Sequence, residues 1–451
     1  MVIGRVETRR NVIATLLVLA AITLGGGGSP APVAEMLLQL FALGLVIAWG
    51  MTGPAVMPRV DPLCWGIAVL ILILPVMQLI PLPPALWHGM SGRETERAAL
   101  GLVGADETWR PWSVAPARTL ASLLALLVPL FGLLFTASLG RAGRAMIVAA
   151  IAAGGLLAIL IGAGQLAGGE LSPFRFYVSD AGYLNGFQAN HNSAADMLLI
   201  AMVALAASVR EWGERRGLRD GPDLRLALVG GGVLMLSLGV FLTASRAGVL
   251  LLPVAWVAVG LIVRPWVVLT RRSWIGVAIV AAVVVACAAL YLQSNHVFTR
   301  IAGRFNFEGE FRPQLWRDAR YALAQYFPWG AGVGTFVPVF IAIERLEVVD
   351  PSLPNRAHNE VLELLMEGGV FSAMLLAAVA WLVTRQLWKA LRHPPAGSMG
   401  QVWFSAATLC LVALHSQIDY PLRSMSLASI AAVAVGLLMP VTARTREVAS
   451  A

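Results

Sequence analysis

Apolar runs of membrane-spanning length alternate with short polar connections along almost the whole chain. They fall near residues 11–28, 33–53, 64–81, 118–139, 145–166, 192–209, 226–244, 247–263, 274–293, 368–384, 401–418 and 424–442. A helix needs roughly 20 apolar residues to cross the hydrocarbon core of a bilayer. The pattern therefore predicts an all-α polytopic membrane protein with about twelve transmembrane helices. Two longer interruptions break the rhythm. The first, at about 82–117, carries Pro81-Leu-Pro-Pro-Ala-Leu-Trp-His88 at its start and Trp109-Arg-Pro-Trp112 near its end. Such prolines and tryptophans suit an interfacial segment that is not one continuous helix. The second, at 294–367, is the one long polar insertion. Within it Leu315, Trp316, Ala319 and Leu323 share a helical face, which predicts an amphipathic helix from Arg312 to Gln325. Pro328 and the glycines at 330, 332 and 334 then end it. The expected organisation is helices one to nine over 1–293, a large exterior loop over 294–367, and helices ten to twelve with a tail over 368–451.

Composition narrows the class. The chain has 451 residues, 58% hydrophobic and 13% charged, and a formal charge of +8. Its mean hydropathy is +0.76, more apolar than a soluble core can use. Lys389 is the only lysine. A basic balance can signal nucleic acid, but these arginines lie in short loops between apolar runs. Arg5, Arg9, Arg10, Arg59, Arg141, Arg144, Arg210, Arg215, Arg216, Arg219, Arg225, Arg264, Arg271, Arg272, Arg385, Arg392, Arg444 and Arg446 all fall on one face of the predicted topology. That face is the cytoplasmic one by the positive-inside bias, with both termini on it. No nucleic-acid partner is expected. Val12 to Leu24 followed by Ala31-Pro-Val-Ala34 resembles a cleavable leader; the second apolar run that follows at once favours an uncleaved first helix. Cys64, Cys287 and Cys410 show no disulfide or metal pattern. No cofactor and no metal are expected.

The candidate chemistry is concentrated on the opposite, exterior face. Arg246 sits in Thr243-Ala-Ser-Arg-Ala-Gly248, a tight turn between the seventh and eighth spans. Exterior arginines run against the topological bias and need a separate reason; the ordinary one is a snorkelling side chain. Arg312 and Arg317 lie in the long loop, where the ordinary reading is a solvated or ion-paired charge. A guanidinium forks onto two phosphate oxygens and stays charged at any working pH, so Arg246 with Arg312 would clamp a diphosphate. Arg356-Ala-His-Asn359 precedes a helix start rich in carboxylates. A neutral His358 there can take a proton from a sugar hydroxyl. Arg317, Arg356, Asn359 and Glu363 are supporting candidates. Glu360, Glu363 and Glu367 share a helix face only roughly; they could orient His358 or bind sugar hydroxyls, while the ordinary reading is solvation on an exterior turn. His415 and Asp419 are one helical turn apart. They suit either a supporting pair or a structural cap, and Asn190 with His191 is a similar polar start to the sixth span.

These motifs in this order resemble the bacterial O-antigen ligase and polymerase superfamily. The resemblance rests on Asn190-His-Asn192, Ser245-Arg-Ala-Gly248, Arg312 with Trp316, Pro328-Trp-Gly-Ala-Gly-Val-Gly-Thr-Phe336, His358-Asn359 with Glu363 and Gly369, and His415 with Asp419-Tyr-Pro421. It covers most of the chain and is strongest from about 185 to 425. It implies an inverting, metal-independent glycosyltransferase of the inner membrane, acting at the periplasmic face. The implied donor is a glycan on undecaprenyl diphosphate, held by Arg246 and Arg312. His358 would assist the acceptor hydroxyl of lipid A core or of a second glycan. The ligase branch ends its Gly-x-x motif in Gly, Thr or Tyr, whereas Gly369-Val-Phe-Ser372 ends in serine. The first long loop is similar to members near exopolysaccharide loci, which keeps a polymerase as the alternative. A transporter of lipid-linked glycans is a more distant one, since such proteins place charges near the midplane and show inverted halves.

Overall fold

The computed structural model describes residues 2–28, 32–52, 60–177, 182–215, 222–264, 303, 311–344 and 353–441. Among these residues there are fifteen α-helices and one two-stranded ribbon. The helices are α1 (Val2–Leu24), α2 (Pro32–Gly50), α3 (Pro62–Gln78), α4 (Pro84–Trp87), α5 (Glu94–Gly101), α6 (Pro116–Ser138), α7 (Arg141–Gly168), α8 (His191–Arg215), α9 (Pro222–Leu242) and α10 (Arg246–Val263). After these come α11 (Arg312–Tyr326), α12 (Phe336–Ile343), α13 (Glu360–Arg392), α14 (Met399–His415) and α15 (Met425–Leu437). Seven of them are long and apolar enough to cross a membrane. The expected span at 274–293, Cys287 and most of the expected loop before residue 311 lie outside the described residues.

The long amphipathic stretch forms α11 as its periodicity predicts, burying Leu315, Ala319 and Ala322. The first exterior segment is not a continuous helix: Pro81–Leu82 (β1) pairs antiparallel with Arg110–Pro111 (β2), with α4 and α5 between them. α1 packs into the bundle through Ala14, Leu17, Val18, Ala21 and Ile22.

Helix α8 is the centre of the bundle, with 83% of its apolar window buried. Small residues make this possible. A Cβ on Gly155 of α7 would lie 2.1 Å from the Cβ of Ala201, and one on Gly248 of α10 would lie 2.4 Å from that of Ala195. Small side chains let membrane helices approach backbone to backbone, where dispersion supplies the association energy.

The two ends of the bundle differ in chemistry. At one end Arg141 of α7 pairs with Glu211 of α8 at 2.7 Å, and Ser398 donates to the same carboxylate. Arg144, expected as an exposed loop charge, is instead fully buried. It donates to the carbonyls of Ala137, Leu139, Leu437 and Met439, so it caps the ends of α6 and α15. At the other end the start of α8 meets the turn after α1 and the start of α15, through Ala189 N to Gly26 O and Ser426 N to Gly25 O. All the interrupted segments gather there.

α13 is broken at Gly369, whose φ of 53° and ψ of −136° fall outside helical space. Val370 N donates to Pro328 O, and Ala331 N and Gly332 N take the carbonyls of Met366 and Glu367. The glycine-rich strap 328–336 thus threads the break. A Cβ at Gly369 would sit 2.0 Å from Pro328 O. Gly369→Ala is expected to cost at least ~2 kcal/mol, since a glycine-only conformation and a backbone clash combine. Thermal unfolding of the purified protein checks this; an unchanged midpoint would contradict it.

Candidate functional site

Each site residue is set by a helix end. α9 stops at Leu242, Ala244 takes a left-handed φ of 56°, and Ser245 caps α10 by accepting from Gly248 N at 3.0 Å. Arg246 is therefore the first residue of α10, half-buried in the tight turn the sequence predicts. Asn359 caps α13 by accepting from Leu362 N at 2.9 Å, and its amide donates to Gln417 O. His358 stands just before this cap with a φ of 47°, a left-handed conformation that few non-glycine residues adopt. It is held there by Trp316 of α11, whose indole N–H donates to the carbonyls of Ala357 at 3.0 Å and His358 at 3.3 Å.

The His358 ring is largely enclosed. Phe311 and Tyr420 meet it edge to face, with centroids 5.3 and 5.0 Å away. Its Nδ1 lies 3.0 Å from Oδ1 of Asp419. A carboxylate accepts only, so Nδ1 carries the proton and Nε2 is left as the basic nitrogen. Asp419 is buried, and burial alone would push its carboxyl up. The hydrogen bond from His358, with His415 and Arg312 behind it, outweighs burial and holds it below the usual carboxylate range. Arg312, at the start of α11, is thus electrostatically part of the group. Burial and the neighbouring Asp419 charge push the Tyr420 phenol up to about 12, although Asn190 and Asn355 both donate to its oxygen.

Asp419 has further partners. Asn192 Nδ2 donates to its Oδ2, and Ser245 Oγ donates to Asn192 Oδ1 at 2.7 Å. A continuous hydrogen-bonded path therefore joins the residue preceding Arg246 to His358. His415 Nε2 lies 4.0 Å from Asp419, and its Nδ1 is 2.6 Å from Oδ1 of Asp196, inside α8.

The acidic face of α13 corrects an expectation. Glu360, Glu363 and Glu367 read as solvated; all three are buried, around Arg423. Arg423 lies 2.7 Å from Glu367, 3.4 Å from Glu363 and 3.9 Å from Glu360. Arg356 adds a 3.0 Å pair to Glu363, whose other oxygen accepts from Ala357 N. Burial, which would lower the Arg423 pKa, is outweighed by the three carboxylates, and the guanidinium stays charged. Glu363 and Arg356 thus support the backbone beside His358 from within the protein.

Of the expected residues, the structure links Arg312, Arg356, His358, Asn359, Glu363, Asn190, His415 and Asp419, and joins Arg246 to them through Ser245. Arg317 does not join them: it is exposed on the outer side of α11. His191 is buried against Tyr183, with centroids 5.5 Å apart. Asn192, legible in the sequence only as part of the polar start to the sixth span, joins the site directly, as do Asp196 and Arg423, which were not expected in it. Asp196 carried a signal, because an ionisable residue inside an apolar helix is costly and marks a polar partner. An open groove of about 210 Å3 lies against Asn359, lined by Trp316 and Arg320 of α11 and by Leu362, Leu365 and Gln417 opposite; the His358 ring does not line it.

Fold and site together define a polytopic helical membrane protein with a polar, arginine- and histidine-bearing centre at one end of its bundle. Residues 231–377 match the family model for O-Antigen ligase. The match supports the chain's place in the O-antigen ligase and polymerase superfamily, an enzyme family of glycosyltransferase-like ligases and polymerases. The matched region contains Arg246, Arg312 and His358, while Asn192, Asp196, His415 and Asp419 come from outside it. No curated protein matches this chain.

Proposed function

We propose that this protein moves a glycan from undecaprenyl diphosphate to a hydroxyl of lipid A core, as an inverting O-antigen ligase. The observation that carries the reading is the His358–Asp419 pair, with the charge of Arg312 reaching Asp419 and a hydrogen-bonded path through Asn192 running to the Ser245 cap that precedes Arg246. A base and fixed cations are what displacement of a diphosphate needs.

The acceptor O–H attacks the anomeric carbon, and its proton passes to His358 Nε2. The bond from that carbon to the diphosphate oxygen breaks, and the electron pair leaves with undecaprenyl diphosphate. Arg246 and Arg312 offset the charge that develops there, which requires no added ion. Donor tails remain in the bilayer while the diphosphate sits at headgroup depth. The groove beside Asn359 gives the acceptor a way in. Arg10, Arg141, Arg210 and Arg215 occupy the end of the bundle away from the site. The positive-inside bias assigns that end to the cytoplasm and the site to the periplasm.

Arg246→Ala and Arg312→Ala are each expected to lower transfer by ~10²–10³-fold, with Arg246→Lys intermediate because it keeps the charge and loses the fork. Purified protein would be given lipid-linked glycan with rough lipopolysaccharide or with free glycan, in excess chelator. A single block shift on lipid A supports the ligase; a ladder of products indicates a polymerase. Full activity of either alanine variant overturns the clamp. Loss in chelator that a divalent ion restores overturns the metal-free reaction.

A further inference from the structure

Two residues of α8 stand one turn apart and face His415, the last residue of α14, and Asp419, one further turn along the chain. Asn192 donates to Asp419, and Asp196 pairs with His415. All four are buried. The i and i+4 positions lie on one side of a helix, so the two elements meet as a polar ladder of two rungs. The upper rung continues to His358 through Asp419 and to the α10 cap through Ser245. Gly248 lets α10 lie flush on Ala195, between the two rungs on α8.

We propose that Asn192 and Asp196 are positioning residues, and that the first turns of α8 set the spacing between Arg246 and His358 by fixing the Asp419 carboxylate. This inference rests on the proposed transfer reaction. Asn192 satisfies both elements at once: its amide N–H holds Asp419, and its carbonyl oxygen holds Ser245. Asp196 orients His415, which closes the other side of Asp419. The charged and titratable groups near Asp419 are His358, His415, Arg312 and Asp196, with the Tyr420 phenol adjacent; those near His415 are Asp196, Asp419 and Arg312.

The full chain in detergent would be assayed with undecaprenyl-diphosphate-linked glycan extracted from the cells that make this protein, using rough lipopolysaccharide as acceptor. The variants are Asn192→Ala, Asn192→Asp, Asp196→Asn and His358→Ala. Asn192→Ala is expected to lower kcat by ~10- to 100-fold with the donor KM unchanged, since a hydrogen bond to a charged group is lost away from the donor. Asn192→Asp sets a second carboxylate against Asp419. The pair then takes up one proton as pH falls, and that proton remakes the bond. The activity ratio of Asn192→Asp to Asn192→Ala should therefore climb as pH falls from about 7 toward about 5, approaching the value of ~4.7 at which a carboxylate dyad takes up its shared proton. Asp196→Asn keeps an acceptor for His415 and should retain more activity than Asn192→Ala. If Asn192→Ala does not fold, Asn192→Asp and Asp196→Asn, which nearly conserve volume, carry the test. A flat pH ratio, or near-normal kcat in the Asn192 variants while His358→Ala is inactive, overturns the ladder alone. Near-normal transfer by His358→Ala overturns the reaction reading and the ladder with it.

Discussion

His358→Ala is expected to lower glycan transfer by ~10²–10⁴-fold, the span that a positioned general base contributes, while leaving the protein folded and able to bind donor. The ring contributes little to packing elsewhere: its contacts are Asp419, Phe311 and Tyr420. The clamp that shapes its backbone is made by Trp316 to the carbonyls of residues 357 and 358, and that clamp survives the substitution. The loss should therefore fall on kcat, with donor KM nearly unchanged, because the imidazole acts on the acceptor proton rather than on the diphosphate. His358→Gln separates shape from proton transfer. It keeps a donor toward Asp419 and cannot act as a base, so it should be nearly as inactive as alanine. Transfer within tenfold of the parent for either variant would remove His358 from its role.

Arg423→Ala should produce the largest loss of stability, ~3–5 kcal/mol, through the charges it leaves behind. Glu360, Glu363 and Glu367 converge on its guanidinium, and all are buried. Arg356 pairs with Glu363, whereas Arg423 is the cation paired with Glu360 and Glu367 among the described residues, so its removal takes the ion pair from both of these buried carboxylates. Glu367 also accepts from Gly334 N, which ties the glycine strap to α13. The strap should loosen together with the helix break it threads. Arg423→Lys keeps the charge but not the spread of donors, and should recover only part of the loss. The measurement is thermal unfolding in detergent, beside proteolysis near residues 328–336. An Arg423→Ala midpoint equal to the parent's would show that the cluster contributes nothing.

Much of this architecture was legible beforehand. Helices α1 to α3, α6 to α10 and α13 to α15 overlap the apolar runs, because length and apolarity are local properties. The helix from Arg312, the break at Pro328 and the start at Asn359 also followed from local chemistry, through periodicity, imino-acid geometry and capping. Arg246, Arg312 and His358 stood out because cations on the face that disfavours them, and a titratable ring at a helix start, are visible one residue at a time.

The pairings were not legible in this way. Asn192 and Asp419 are 227 positions apart, and Asp196 and His415 are 219 apart. Nothing local says which helix a polar face will meet. The three glutamates were misread for the same reason, since the arginine that neutralises them lies 56 residues from Glu367, beyond another span. Arg144 matched the charge pattern of a loop, but only the packed ends of α6 and α15 supply its four carbonyls. The order of residues thus decided where helices form, which bundle end is basic and which side chains can do chemistry, since each depends on near neighbours. Packing decided which of those side chains meet, because contacts such as Gly248 on Ala195 set helix register, and register alone turns distant polar residues into partners.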